Sequence, residues 1–307
     1  MSDWQMDIKV EEQTERTAEE GKVSEIASSN HRLIAFGWYG GKFNHLDWLL
    51  PLLPQTKHFC EPFGGSASVL INRKPSPIET YNDIDGEVVN FFRVLRDKKD
   101  ELIEKICLTP FSYEEYLKAI EEKGNQSLSD VERARMFYVL ARQTRTGLAQ
   151  GASPGRWAYC TLTSRAGMAG AVSRWLGAVE DLPLIAQRLL RVQLENRPAL
   201  DVIKRYDTPE TLFYCDPPYP HECRGDIHAY GFEMTDEEHD KLAKTLHEAK
   251  GKVAISSYRC KLTDRLSADW KCIEALEKKC HSVKKMRKEA LWVNYKIHEV
   301  KGIEKHF

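Results

Sequence analysis

The sequence predicts an α/β fold with a mostly parallel sheet, because apolar runs of strand length alternate with helical stretches and turn signals bound them. A capping residue opens each of the clearest helical stretches. Strands are expected at 57–61, 78–84, 192–195, 211–215, 252–256 and 291–295. Between them, Val88, Phe92 and Leu95 share one face after Asp85. Ser129 with Glu132 forms a capping box ahead of Met136, Phe137 and Leu140. Thr235 with Glu238 forms another, opening a helix through Leu242 and Leu246 that is expected to end at Gly251. The stretch from Thr109 to Trp175 breaks the rhythm. It begins helical and continues as a long loop rich in Gly, Ser, Thr and Arg, the kind of loop that is usually functional.

Four segments follow. Residues 1–30 read as an acidic disordered tail, 31–108 as the first part of the α/β domain, 109–190 as an inserted helical and loop lobe, and 191–307 as the remainder of the sheet. At 307 residues the chain can bury a large core, and 42% hydrophobic with 30% charged residues is a globular composition. No apolar run approaches a membrane span, and the N-terminus has no signal-peptide core, so a cytoplasmic, membrane-free chain is expected. Eight cysteines without a C-x-x-C pair argue against a zinc or iron–sulfur site and for reduced thiols, and no metal is expected.

The net charge of −1 hides an asymmetry: residues 1–30 carry −5, while 131–197 carry ten arginines, no lysine and four acids. Arginine without lysine suits bidentate contact with phosphate or guanine. Arg142, Arg145, Arg156 and Arg165, which lie in or beside the glycine-rich loop, are the candidate nucleic-acid contacts.

Three motifs carry chemistry. The most specific is the apolar run Leu212 to Cys215 followed by Asp216, Pro217, Pro218 and Tyr219. A strand delivers a carboxylate to its C-terminal end, and the two prolines stop the ladder and fix the backbone. Asp216 and the Pro217 carbonyl can accept the two N–H bonds of an exocyclic aryl amine and aim its lone pair at an electrophile, while Tyr219 stacks on the base. Upstream, Glu61, Pro62, Phe63, Gly64 and Gly65 lie where a strand turns into a helix, and glycines there let the backbone approach a ligand. Asp83 ends the next strand, 18 residues after Gly65, a spacing close to that of ribose-binding acids. Glu61, Asp83 and Asp216 therefore end strands that a parallel sheet would gather on one edge. The third motif is Trp38, Tyr39, Gly40, Gly41 and Lys42, with Lys42 expected to meet a ligand carboxylate.

In this order the motifs resemble the Dam-like N6-adenine-specific DNA methyltransferases, over roughly residues 31–298. The resemblance implies a Rossmann-like methyltransferase sheet with an inserted target-recognition lobe, S-adenosyl-L-methionine as methyl donor and double-stranded DNA as substrate. By it, Trp38, Tyr39, Gly41, Lys42, Glu61, Pro62, Phe63, Gly65, Asp83 and Ile84 bind the cofactor, with Ile84 against its adenine and Asp216 near its methionine end. Asp216, Pro217, Pro218 and Tyr219 are the catalytic motif. Ala67 departs from the family, which usually has a second glycine there. The segments 253–257 and 289–295 look like later family strands that wall the target-base pocket. A companion restriction endonuclease is a candidate partner, and a monomer or weak dimer is expected. An RNA or cytosine-N4 methyltransferase of the same fold, and a non-catalytic DNA-binding module, are the alternatives.

Two weaker candidates complete the set. His228, Tyr230 and Phe232 are candidates to clamp a flipped base. The basic run Lys278, Lys279, Lys284, Lys285, Arg287 and Lys288 is a candidate phosphate contact.

Overall fold

A computed structural model describes residues 31–147, 149–223, 231–275 and 288–297. The expected tail at 1–30, His228, Tyr230 and most of the basic run at 278–288 lie outside the described residues. Nine strands are described: β1 (His58–Glu61), β2 (Ile78–Asn82), β3 (Ser164–Arg165), β4 (Met168–Ala169), β5 (Val192–Glu195), β6 (Thr211–Cys215), β7 (Lys252–Tyr258), β8 (Lys271–Glu274) and β9 (Glu289–Val293). Seven form one sheet in the order β5-β2-β1-β6-β7-β9-β8. The β1, β2, β5, β6 and β7 ladders are parallel, and β9 runs antiparallel to both β7 and β8. From β1 the chain winds outward to β2 and β5, and from β6 outward to β7. The β1–β6 boundary is thus the point where the winding reverses, and the crevice beyond the strand ends there is where open α/β sheets bind ligands.

The central strand β6 (Thr-Leu-Phe-Tyr-Cys) is buried along its whole length, as a strand covered on both faces is. The described helices of five or more residues are α1 (Ser68–Asn72), α2 (Gly86–Asp97), α3 (Lys99–Cys107), α4 (Tyr113–Glu121), α5 (Asp130–Gln143), α6 (Gly170–Val179), α7 (Leu182–Leu189), α8 (Ala199–Tyr206), α9 (Asp236–His247) and α10 (Lys261–Leu266). In one core cluster Val202 and Ile203 of α8 and Leu242 and Leu246 of α9 pack with Cys60, Phe213, Cys215 and Val253 of the sheet. Elsewhere Phe36, Phe91, Phe92 and Phe137 form an edge-packed aromatic cluster, and Phe91 stacks on Tyr138 of α5 at 5.5 Å.

Several expectations need correction at their edges. Strand β2 stops at Asn82, so Asp83 and Ile84 belong to the following turn. The last strand is Glu289–Val293, two residues earlier than expected, and its edge partner β8 went unforeseen. Ser129 accepts from the Glu132 N–H, but the Glu132 carboxylate turns to Arg135 and leaves the capping box half made. The Thr235–Glu238 box is complete, yet its helix ends at His247 and is not capped by Gly251. Gly251 serves another purpose: a Cβ there would sit 2.9 Å from the Thr211 carbonyl oxygen, so glycine is what lets β7 start tight against β6.

Candidate active site

Strand β1 ends at Glu61 and the chain turns through Pro62 to Ala67 into α1. The turn is tight because Gly64 N–H donates to the Asn82 carbonyl at 2.8 Å and Ala67 N–H donates to the Gly64 carbonyl at 2.8 Å. Gly64 is obligatory on steric grounds, since a Cβ there would lie 2.1 Å from the Tyr81 ring. Gly65 has φ +48°, and its Cβ would meet the Trp38 indole nitrogen at 2.5 Å. Ala67 adopts φ +54° as the residue that caps α1. The chain thus keeps the left-handed turn while carrying a methyl group that this conformation penalises.

Beside this turn, Asp83 binds two backbone donors: Oδ2 accepts from Gly65 N–H at 2.7 Å and Oδ1 from Asp85 N–H at 2.8 Å. Burial raises its carboxyl to about 6, against those two bonds. Ile84, by contrast, is 46% exposed, an apolar side chain left open next to a buried acid.

Asp216 follows β6 directly. The Lys42 ammonium lies 2.6 Å from each of its carboxylate oxygens and 2.6 Å from the Gly40 carbonyl oxygen. Glu289 is also close, at 3.6 Å from the same ammonium. Lys42 is therefore buried and engaged with this chain's own carboxylates, where the sequence suggests a ligand's. Burial disfavours its charge, but Asp216 and Glu289 outweigh that and hold it protonated. Burial pushes the Asp216 carboxyl upward while Lys42 pulls it down. Burial likewise lifts Glu289 to about 7 and Glu61 well above the carboxylate range. Glu61 Oε2 has no hydrogen-bond partner among the described residues.

One cavity of about 470 Å³ joins these pieces. Of the residues singled out in the sequence, Trp38, Tyr39, Gly41, Lys42, Glu61, Pro62, Phe63, Gly65, Asp83, Ile84, Asp216 and Pro218 line it. Leu200, Phe232 and Met234 add apolar wall, with Phe232 about half exposed. Pro217 and Tyr219 are not among the lining residues. Tyr219 is 3% exposed; its hydroxyl donates to Glu289, its ring packs edge-on against Tyr258 at 5.0 Å, and Lys42 sits 5.0 Å from its centroid. Sequence reasoning placed Glu289 only on a pocket-walling strand. An acid opening an otherwise apolar five-residue strand was the signal available.

The arginine-rich segment divides. Arg133 pairs with Glu87, Arg135 with Glu132 and Glu115, Arg188 and Arg191 with Glu79, and Arg197 with Glu195. Half of the ten arginines that set the composition apart thus serve carboxylates of this chain. Arg142 donates to the Arg174 carbonyl at 3.1 Å, Arg145 lies 5.6 Å from the Tyr159 ring, and Arg156 is half-buried beside Gly151. Arg165 is exposed in the β3–β4 hairpin, whose turn residues Ala166 and Gly167 both have positive φ. None of these four lines the cavity.

Comparison with known proteins places the chain in a family. The family model of the D12 class N6 adenine-specific DNA methyltransferases matches residues 38–288, and the chain belongs to that family. It is 24% identical over 243 residues to a DNA adenine methylase of Vibrio cholerae, covering 75% of this chain and 82% of that one. Over 116 residues it is 30% identical to the DNA N-6-adenine-methyltransferase of Escherichia phage P1, which covers 37% of this chain but only 15% of the phage protein's length. A type II methyltransferase of Lactococcus lactis subsp. cremoris, M1.LlaDCHI, is 34% identical over 112 residues, 34% of this chain and 38% of its own.

Proposed function

We propose that this chain methylates the N6 amine of an adenine turned out of double-stranded DNA, with S-adenosyl-L-methionine as donor. The observation that carries the proposal is that Asp216, directly after β6, Gly65, in the turn after β1, and Asp83, directly after β2, line one cavity at the sheet's reversal point. The residues suit the donor. Asp83 is a buried carboxylate placed for ribose hydroxyls, and exposed Ile84 offers an apolar face to an adenine ring. Five acids (Glu61, Asp83, Asp216, Glu233 and Glu238) line the cavity with two lysines, Lys42 and Lys241, an excess of carboxyl groups that suits a cationic ligand. When bound, the donor supplies an electrophilic methyl group on a sulfonium.

The chain's own work is positioning and proton transfer. In the described state Lys42 donates to both Asp216 oxygens, and the carboxylate keeps further lone pairs for an entering amine. Asp216 and the Pro217 carbonyl then accept the two N–H bonds and draw the nitrogen toward tetrahedral geometry. Asp216 takes the proton that the amine nitrogen loses on gaining the methyl group, whose bond to the donor's sulfur would break with its electron pair left on that sulfur, and burial raises the affinity of Asp216 for the proton. Ring contact from Tyr219 would require local movement, because it is buried as described. Arg165 and its neighbours Arg142, Arg145 and Arg156 are proposed DNA contacts. The work is assigned to the cytoplasm and to a monomer or weak dimer, and a restriction endonuclease is the proposed companion.

Asp216→Ala tests the assignment. Losing a preorganised acceptor is expected to lower the single-turnover methylation rate by about 10²–10⁴-fold while DNA binding persists. A variant that methylates at the wild-type rate would place the chemistry elsewhere.

A further inference from the structure

Glu289 is the buried acid of this site that the proposed chemistry leaves without a task. It opens β9, directly opposite Tyr258 in the β7–β9 ladder. Its side chain is 4% exposed, and one oxygen, Oε1, both receives the Tyr219 hydroxyl and lies 3.6 Å from the Lys42 ammonium. The Tyr258 ring closes the other side of Tyr219. Tyr219 is thus pinned at its hydroxyl by one strand residue and at its ring by the residue paired with it. A buried carboxylate is costly unless it is paired and hydrogen-bonded. Here its two partners are the aromatic residue of the Asp216 motif and the lysine that occupies Asp216.

We propose that Glu289 is a positioning residue for methyl transfer: it fixes Tyr219 through the hydroxyl and holds the Lys42 ammonium when Asp216 turns to the incoming amine. The proposal rests on the methyltransferase reading above. Its physical need is direct. Once Asp216 has taken the proton of the target amine it is neutral, and Lys42, only 3% exposed, has lost its nearest charge partner. Glu289 and the Gly40 carbonyl are then the groups within reach that keep that ammonium paired. No movement of the backbone is required.

The test uses the full chain with Glu289→Gln, Tyr219→Phe and the double variant. Gln keeps the shape of Glu and an acceptor oxygen while removing the charge, so the fold is expected to survive. Single-turnover rates and apparent affinities for donor and DNA are measured for all four proteins. The expected result is a rate about 10- to 100-fold lower for Glu289→Gln, the worth of a hydrogen bond to a charged group, with both affinities within about threefold of wild type. The double variant is expected to be little slower than the slower single variant, because both substitutions break one Tyr219–Glu289 unit. A merely structural role would lower affinities and thermal stability together with the rate. A wild-type rate in Glu289→Gln, multiplying effects in the double variant, or losses shared by rate, affinity and stability would each overturn the role of Glu289 while leaving the methyltransferase reading intact. A wild-type chain that methylates nothing would overturn both.

Discussion

The proposed ribose contact of Asp83 can be tested through the titration of its buried carboxyl. It titrates at about 6, against 3.8 for an ordinary aspartate, and burial is the main cause. The raised value means that the neutral form favours the folded state: that contribution to stability is complete below about pH 4 and is lost as pH rises through about 6. Ligand binding runs the other way. Hydroxyl donors from a ribose favour the ionised form, so donor affinity is expected to fall by up to about tenfold per pH unit as pH drops below 6. Calorimetric titration at pH 5, 6 and 7.5 checks this, with Asp83→Asn expected to give a flat profile. At neutral pH, Asp83→Ala is expected to weaken donor binding by about 1.5–3 kcal/mol, the range for hydrogen bonds to a charged group. An affinity indifferent to both pH and substitution would put the donor elsewhere in the cavity.

At the scale of elements, the turn from Glu61 to α1 joins sequence to site most tightly. Gly64→Ala drives a methyl into the Tyr81 ring, which is fully buried and anchored through its hydroxyl to the Gly65 carbonyl at 2.7 Å. The expected cost is at the top of the overpacking range, about 3 kcal/mol or more. Gly124 is the control: its φ is +80°, but a Cβ there meets nothing within 4 Å, so Gly124→Ala carries only the conformational penalty of about 1–2 kcal/mol. Urea midpoints of the two variants separate steric from conformational cost, and equal losses would contradict the geometry. Elements of this kind were legible in advance. The runs at 192–195 and 211–215 are β5 and β6 residue for residue, because an alternating apolar and polar run (β5) and a continuous apolar or β-branched run (β6), each bounded by turn signals, admit little else. Strand β8 was not legible: Lys-Cys-Ile-Glu is four residues long with two charged ends, and it is a strand only because β9 lies beside it. The end of α9 was misread for a related reason. Gly251 looks like a helix stop, but only tertiary contact reveals that the Thr211 carbonyl requires it. Glu289 stayed outside the expected site because nothing local links a strand's first residue to a tyrosine 70 positions away.

For the whole molecule, charge must be sorted by what it already binds. The +6 balance of residues 131–197 suggests a basic surface, yet Arg133, Arg135, Arg188, Arg191 and Arg197 are committed to acids of the chain. Arg135, 8% exposed and bound to two glutamates, is expected to matter for stability: Arg135→Ala leaves two half-buried carboxylates unpaired and should cost about 1–3 kcal/mol without changing sequence preference. Arg165→Ala should do the reverse. Stability is unchanged within about 0.5 kcal/mol, while DNA binding weakens, either with relaxed preference at one base position or with a salt slope reduced by about one. Thermal melts and binding isotherms at two salt concentrations check both. Identical behaviour of the two variants would mean that the hairpin does not meet DNA. The central claim is methyl transfer to adenine N6 through Asp216, and one measurement addresses it most directly. Unmethylated DNA is incubated with S-adenosyl-L-methionine carrying a labelled methyl group and with wild-type or Asp216→Ala protein, then digested to nucleosides and analysed by mass spectrometry. The account predicts label in N6-methyladenine from the wild type, at least about a hundredfold less from Asp216→Ala, and none on cytosine. Label on cytosine N4, or equal adenine methylation by the two proteins, would contradict it.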